Sequence, residues 1–208
     1  MKRTIVLIAV GVLFWVLPVK AELVTIKIEG VVDYVGDPYN YLKGKISPGD
    51  AIMGTYTYDT GTPDATPEYP AIGRYEHFAS PAGICVTVGG FEFRTDTLNV
   101  DFLVAIANNV TSGGLHDSYW IYSYNNVPLP SGTSVDQIYW SLRDYSATAV
   151  SSIDLPTTAP VLHDWQENIL GIGADRLYGI SGHITSAIPE PTSVLLFALG
   201  ALLLRKRS

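Results

Sequence analysis

Apolar and polar residues alternate with a period of two through the body of the sequence, residues 22–187, which is the pattern of half-buried β-strands. The first segment, LVTIKIEG, places Val24, Ile26 and Ile28 on one face. No convincing amphipathic helix occurs in the body, although APVLHDWQENIL has room for a helical turn or two. The pattern predicts one all-β domain, an antiparallel β-sandwich of the jelly-roll kind. The other predicted strand segments are AIMGTYTYDT, TLNVDFLVAIANN, DSYWIYSYNN, DQIYWSLRDY and RLYGISGHITSA. GICVTVGGFEFRT is predicted to form two strands around a turn at Gly89 and Gly90.

The N-terminal residues have the order of a secretory signal peptide. Lys2 and Arg3 supply a positive start, and Ile5–Leu17 is an uncharged apolar stretch of thirteen residues. That length suits the apolar helix of a signal peptide and is short for a membrane span. We therefore predict that residues 1–21 are a signal peptide, cleaved between Ala21 and Glu22. The alternative interpretations are a retained anchor and a core helix.

The C-terminal residues 188–208 combine a proline motif, an apolar run and a basic end. The motif consists of Pro189, Glu190 and Pro191, and the basic end consists of Arg205, Lys206 and Arg207. Between them, Ser193–Leu204 is twelve residues without a charge. As a helix this run would extend about 18 Å, against roughly 30 Å of membrane hydrocarbon. Because the basic end resists translocation, we expect a weak, transient inner-membrane tether with the body outside.

This order closely resembles the PEP-CTERM sorting signal, which is also known as the ice-binding-protein C-terminal domain. The resemblance implies a Gram-negative host and processing by an exosortase, a membrane transpeptidase that would cut near Pro189–Pro191. It further implies release to the cell surface or extracellular matrix in an exopolysaccharide-producing bacterium. The body segment YTYDTGTPDATPE also resembles a pattern found in proteins with this tail, which implies a shared β fold and no activity. A plain tail anchor is the alternative.

The body is acidic, and this excludes one class of partner. Residues 22–187 hold seven Lys and Arg against nineteen Asp and Glu, a formal charge of −12. Such a surface repels phosphate backbones, so we expect no nucleic-acid partner. The sequence has no phosphate-binding loop, no nucleophile elbow and no metal-spaced histidines, and the lone Cys85 lies in an apolar strand segment. We therefore predict no cofactor and no catalytic role.

Two clusters remain as candidate binding sites. Asp59, Asp64 and Glu68 fall in one predicted loop, where oxygen ligands suit Ca²⁺, but a solvated acidic turn is the favoured interpretation. Trp120, Tyr122 and Tyr124 share one face of a predicted strand. On an exposed sheet they would stack on sugar rings, but aromatic side chains favour strands generally, and core packing is the favoured interpretation.

Three functions follow from these features. The leading hypothesis is a structural or adhesive surface protein that binds polysaccharide through the aromatic residues. The second is a secreted enzyme that acts on glycans through a pair of carboxylates. The third is a Ca²⁺-dependent binding module.

The sorting hypothesis predicts the intact mass of the native protein. In the wild-type host we expect both ends to be missing, with a C-terminal cut near Pro189 that disappears in a strain lacking its exosortase. A mass that retains Ser193–Ser208 in both strains would instead make the tail a plain membrane anchor.

Overall fold

All ten strands of the computed structural model, which describes residues 22–190, belong to one antiparallel sheet. The predicted all-β, antiparallel class is confirmed, but the strands form a single curled sheet and not two separate ones. From edge to edge the order is β3-β6-β7-β8-β9-β10-β1-β2-β4-β5. The strands are β1 (Leu23–Gly36), β2 (Ala51–Asp59), β3 (Ile72–His77), β4 (Gly83–Val88), β5 (Phe91–Arg94), β6 (Phe102–Val110), β7 (His116–Ser123), β8 (Gln137–Asp144), β9 (Glu167–Ala174) and β10 (Tyr178–Pro189).

The predicted signal helix and the apolar helix of the tail lie outside the described residues. Within residues 22–190 no helix has the length and apolar character needed to cross a membrane. The segment APVLHDWQENIL forms a short 3-10 helix, Leu162–Asp164, and its last four residues begin β9.

Alternation along the strands decides which side chains enter the core. Val24, Ile26 and Ile28 of β1 are buried, as their spacing predicts, and so are Ile138 and Trp140 of β8. Apolar burial of this kind contributes about 25 cal/mol for each Å² removed from water, and it drives the sheet to cover its inner face.

The inner face is covered because the sheet folds over on itself. The hydroxyls of Tyr56 on β2 and Tyr119 on β7 lie 3.2 Å apart, and the Tyr56 ring packs edge-on to Trp140 of β8 at 5.9 Å. β2 and β7 are five strand positions apart in the sheet order, so this contact joins its two halves. Burial raises the pKa of both tyrosines, which stay neutral hydrogen-bonding groups. A bond of 2.7 Å between Thr95 Oγ1 and Ser123 Oγ joins the halves at one end.

The hairpin β4–β5 has the turn that its sequence predicts. Gly89 and Gly90 have φ angles of 57° and 80°. A two-residue turn with both central φ values positive matches the twist of antiparallel strands, and glycine adopts it without steric cost.

Two buried carboxylates hold the long segment between β8 and β9. Asp117 accepts bonds from the backbone N–H of Asn109 (2.8 Å) and Val150 (3.0 Å). Asp144, directly opposite on β8, accepts from the N–H groups of Ser146, Thr148 and Ala149 at 2.8, 2.7 and 3.0 Å. Burial alone would raise the pKa of Asp144, but these hydrogen bonds outweigh it and lower the pKa.

The predicted strand segment TLNVDFLVAIANN begins later than expected. Leu98 lies in an exposed turn that Asp96 caps, because β6 begins only at Phe102. His116 is buried beside Asp117 at the start of β7, whereas His163 is exposed.

The last strand reaches into the proline motif of the tail. β10 continues through Pro189, which lies opposite Ile26 of β1, and the Glu190 N–H donates to Thr25 O at 2.8 Å. Pro189 is therefore part of the sheet and Glu190 is hydrogen-bonded to its neighbouring strand, whereas Pro191 and the basic end lie outside the described residues.

Replacement of Asp144 by Asn tests the role of this carboxylate. The amide cannot accept all the bonds that Asp144 accepts, so we expect the free energy of unfolding to fall by about 2 kcal/mol at neutral pH. Because folding lowers the pKa, the contribution of Asp144 is complete above the unfolded pKa of about 4 and is lost as the pH falls below it.

Urea unfolding at neutral pH and near pH 3 measures the free energy of unfolding of both proteins. The difference in this free energy between wild type and Asp144→Asn should be smaller near pH 3. Asp175→Asn, which changes a carboxylate that is 85% exposed, is the matched control and should do little. A difference in the free energy of unfolding that stays constant with pH would contradict the stabilising role of the Asp144 charge.

Candidate functional site

The predicted aromatic residues lie on the outer face of the sheet, where β6, β7 and β8 are adjacent. Trp120 is 38% exposed and Tyr124, just after β7, is 41% exposed, while Tyr122 is half-buried. The favoured core interpretation is therefore wrong for these three side chains. The aromatic side chains that β7 and β8 send into the core are Tyr119 and Trp140.

Three of the tyrosines form a stack on this face. The rings of Tyr122 and Tyr124 are 4.2 Å apart at an interplanar angle of 27°, and those of Tyr122 and Tyr139 are 5.8 Å apart at 12°. Tyr139 lies directly opposite Tyr122 on β8, so the β-sheet register creates the second contact. The Tyr122 hydroxyl donates to Gln137 Oε1, and burial raises the pKa of Tyr122, so this donor stays protonated at neutral pH.

Gly171 on β9 makes room for the outer ring of the stack. A Cβ at this position would lie 2.3 Å from Cε1 and Cζ of Tyr139, so the tyrosine ring occupies the space above the glycine. Tyr139 and Gly171 are opposite each other in the register of β8 and β9. The absence of a side chain thus lets the ring lie against the sheet.

Small residues around Trp120 make the surface concave. Ala105 lies opposite Trp120 on β6 and Ser141 lies opposite it on β8. Leu103 and Ala105 point to the same outer face and are still buried, because the surrounding side chains rise above them. The result is a groove of about 500 Å³, which we call the aromatic groove. It is lined by Ile72, Arg74, Leu103, Ala105, Trp120, Ile121, Tyr122, Tyr124, Tyr139, Trp140, Ser141 and Arg143.

Two arginines border the aromatic groove. Arg74 on β3 donates from Nε to Glu76 Oε1 at 2.6 Å, and this hydrogen bond, with a smaller contribution from Tyr124, raises the pKa of Arg74. Arg143 on β8 places Nη1 3.6 Å from Glu167 Oε2. Both guanidinium groups are thus oriented by a carboxylate that does not itself line the groove.

The predicted calcium ligands do not form a cluster. Asp59 Oδ1 accepts from Gly61 N, and Asp64 Oδ1 accepts from the N–H groups of Thr66 and Arg74 at 2.9 Å each. Glu68 is exposed in the same loop. Nowhere in residues 22–190 do three His, Cys, Asp or Glu side chains converge in a way that could hold a metal ion. Turn capping accounts for the positions of the two aspartates.

A second cleft, of about 490 Å³, lies under the segment between β8 and β9 and holds two carboxylates. Asp154 accepts from Ser152 Oγ at 2.6 Å, and Asp164 lies 3.2 Å from His163 Nε2. The described lining of the aromatic groove includes no Asp or Glu, so the carboxylate pair of the glycan-enzyme hypothesis would have to lie elsewhere, in this cleft or in the hollow that Asp136 and Asp175 line.

Sequence analysis missed the arginines and Gly171 for different reasons. Arg143 alternates with the core residues Trp140 and Leu142 of β8, so the period of two could have placed it on the outer face. Arg74 lies on β3, which was not predicted as a strand. Gly171 belongs to GIGADR, whose glycine spacing gave no sign of a ring packed above it.

Comparison of the chain with protein-family models, with curated proteins and with solved structures finds no match. The resemblance to a sorting signal therefore depends on the tail residues themselves, and the candidate site depends on its geometry.

Replacement of Gly171 by Ala tests the packing of the stack. The added methyl group must displace the Tyr139 ring, so we expect a weaker near-ultraviolet circular dichroism signal from the tyrosines. We expect a stability loss of only about 1 kcal/mol, because a half-buried ring can swing outward.

The matched control is Gly179→Ala on β10, where a new Cβ would meet no atom within 4 Å. It should leave the spectrum unchanged. An unchanged spectrum for Gly171→Ala as well would contradict the placement of Tyr139.

Proposed function

We propose that this chain is an exported cell-surface or extracellular-matrix protein, sorted by an exosortase, whose sandwich-like body binds polysaccharide in the aromatic groove and has no catalytic role. The observation that carries the binding proposal is the exposure of Trp120 and Tyr124 beside a stack of tyrosines on a concave outer face. A folded protein rarely leaves contiguous apolar surface in contact with water unless a partner covers it.

Aromatic rings suit sugars because they offer a flat apolar face with little conformational freedom to lose. Pyranose rings present C–H groups on one face and hydroxyls at the edge. The ring faces of Trp120 and the tyrosines would cover the C–H face of the sugar. At its hydroxyl edge the arginines would donate hydrogen bonds, and the Ser141 hydroxyl would donate or accept them. The stack is held by the sheet itself, so little ordering is needed when a ligand binds.

The transport part of the proposal comes from the two ends of the chain. A signal peptide at residues 1–21 and a PEP-CTERM-like tail at residues 188–208 would deliver the body to the cell surface or matrix, with transient association with the inner membrane. An exopolysaccharide is the glycan that such a protein would meet there.

Trp120→Ala tests the binding proposal. Loss of a central aromatic contact typically costs about 2 kcal/mol, so the affinity for the host's exopolysaccharide should fall by roughly thirtyfold. Affinity electrophoresis of the full chain, in mild detergent, through a gel that contains the exopolysaccharide measures the change.

Tyr39→Ala is the matched control, because Tyr39 is equally aromatic and 66% exposed but lies in the β1–β2 loop, away from the groove. Its mobility should equal that of the wild type. Retarded migration of Trp120→Ala to the same extent as the wild type would rule out the groove as the binding site.

A further inference from the structure

We infer that the aromatic groove selects an acidic polysaccharide, a linear glycan whose sugars carry carboxylates, and binds those carboxylates through Arg74 and Arg143. This inference rests on the proposed function and specifies its ligand. It follows from where the charges of the body lie, from the donors that the two arginines leave open, and from their positions on either side of Trp120.

The groove lining carries arginines although the body is acidic, and the carboxylates that pair with them, Glu76 and Glu167, lie outside that lining. Residues 22–187 contain nineteen acidic and seven basic residues, yet the described lining of the aromatic groove includes two arginines and no carboxylate. A uniformly acidic surface would repel an anionic glycan everywhere. The groove is therefore the place on the described surface where aromatic stacking and attraction of an anion occur together.

Each arginine has donors to spare. Among the described residues, Arg74 engages Glu76 through Nε and has Tyr124 beside its guanidinium group, which leaves terminal N–H donors for a ligand. Arg143 engages Glu167 and the Tyr145 hydroxyl through Nη1, and its Nε is buried without a partner within residues 22–190, so Nη2 is the nitrogen it can offer to a ligand. A guanidinium group has five N–H donors in a planar fork that matches a carboxylate. The existing ion pairs orient the two guanidinium groups without using all of their N–H donors.

The register places the two arginines on opposite sides of Trp120. Arg74 on β3 lies opposite Ala105 on β6, which lies opposite Trp120 on β7, and Arg143 lies on β8. β3 and β8 are three strand steps apart, so their backbones are separated by about 14 Å at 4.8 Å per step. Two cations at this spacing around a ring fit a chain with repeated carboxylates better than a single acidic sugar.

The neighbouring concavity limits the direction of such a chain. Beyond Tyr139 the outer face continues into a hollow of about 570 Å³ whose lining includes Asp136, Asp175 and Arg176. Two carboxylates against one arginine disfavour an anion there. An acidic glycan would therefore run from Tyr139 toward β3, along the side that carries the arginines.

The test compares one glycan with and without its charge. The full chain in mild detergent is titrated by calorimetry with polygalacturonate and with the same polymer after chemical reduction of its carboxyl groups to alcohols. We expect the charged polymer to bind at least tenfold more tightly, as charge-assisted hydrogen bonds require. We also expect added salt to weaken binding of the charged form only.

Variants locate the effect. Arg74→Gln with Arg143→Gln should lower the affinity for polygalacturonate to that for the reduced polymer, whereas Trp120→Ala should weaken both. Arg94→Gln is the matched control, because Arg94 pairs with Glu92 in a similar exposed ion pair on β5, in the other half of the sheet. It should bind like the wild type, and thermal melting checks that each variant remains folded.

Four results would overturn the inference. These are equal affinity for both polymers, an equal loss in Arg94→Gln, equally tight binding of single-stranded DNA, and no binding of either polymer by protein that still binds the host's exopolysaccharide. All four leave the proposed function intact, because that proposal fails only if the wild-type chain does not bind the host's exopolysaccharide or if Trp120→Ala binds it as tightly as the wild type.

Discussion

The contact of Tyr56 with Tyr119 and Trp140 joins the two halves of a single sheet, and the rest of the fold depends on it. A ten-stranded sheet with one apolar face must cover that face, and here it does so by folding over on itself. Hydroxyls buried at the contact satisfy each other, since an unpaired polar group in the core would cost about 1–3 kcal/mol. Trp140 meets the same requirement, because its indole N–H donates to Asn168 Oδ1 at 2.9 Å.

Closing the core in this way leaves a gap that loops must fill. The segment between β8 and β9 crosses the open side, where Pro156 O accepts from the Tyr58 hydroxyl and Ile153 O from the Tyr75 hydroxyl at 2.8 and 2.9 Å. Buried Asp117 and Asp144 fix the near end of this segment through its backbone N–H groups. His77 adds a further link, because its Nε2 accepts from Asp59 N at 3.2 Å while burial lowers its pKa and keeps it neutral.

Much of the fold follows from the period of two, and the rest depends on contacts that are distant in sequence. β1, β2, the β4–β5 hairpin, β7, β8 and β10 alternate clearly and were predicted. β3 was missed because it contains Gly73 and polar residues, and it becomes a strand by pairing with β6. Alternation showed that Trp120 and Tyr122 share a face. Whether that face points into the core or to the outer surface depends on how the sheet folds over. A local sequence pattern does not determine this.

The outer face is the reverse of the core, and this links stability to the proposed binding site. Each residue of β7 and β8 that enters the core fixes its neighbours on the groove, so Tyr119 and Trp140 inside determine the positions of Trp120 and Tyr139 outside. A shift of one residue in the register of β8 would exchange its core-facing and groove-facing residues and bury Arg143. The core therefore provides a rigid base on which rings and guanidinium groups are held in place before any ligand arrives.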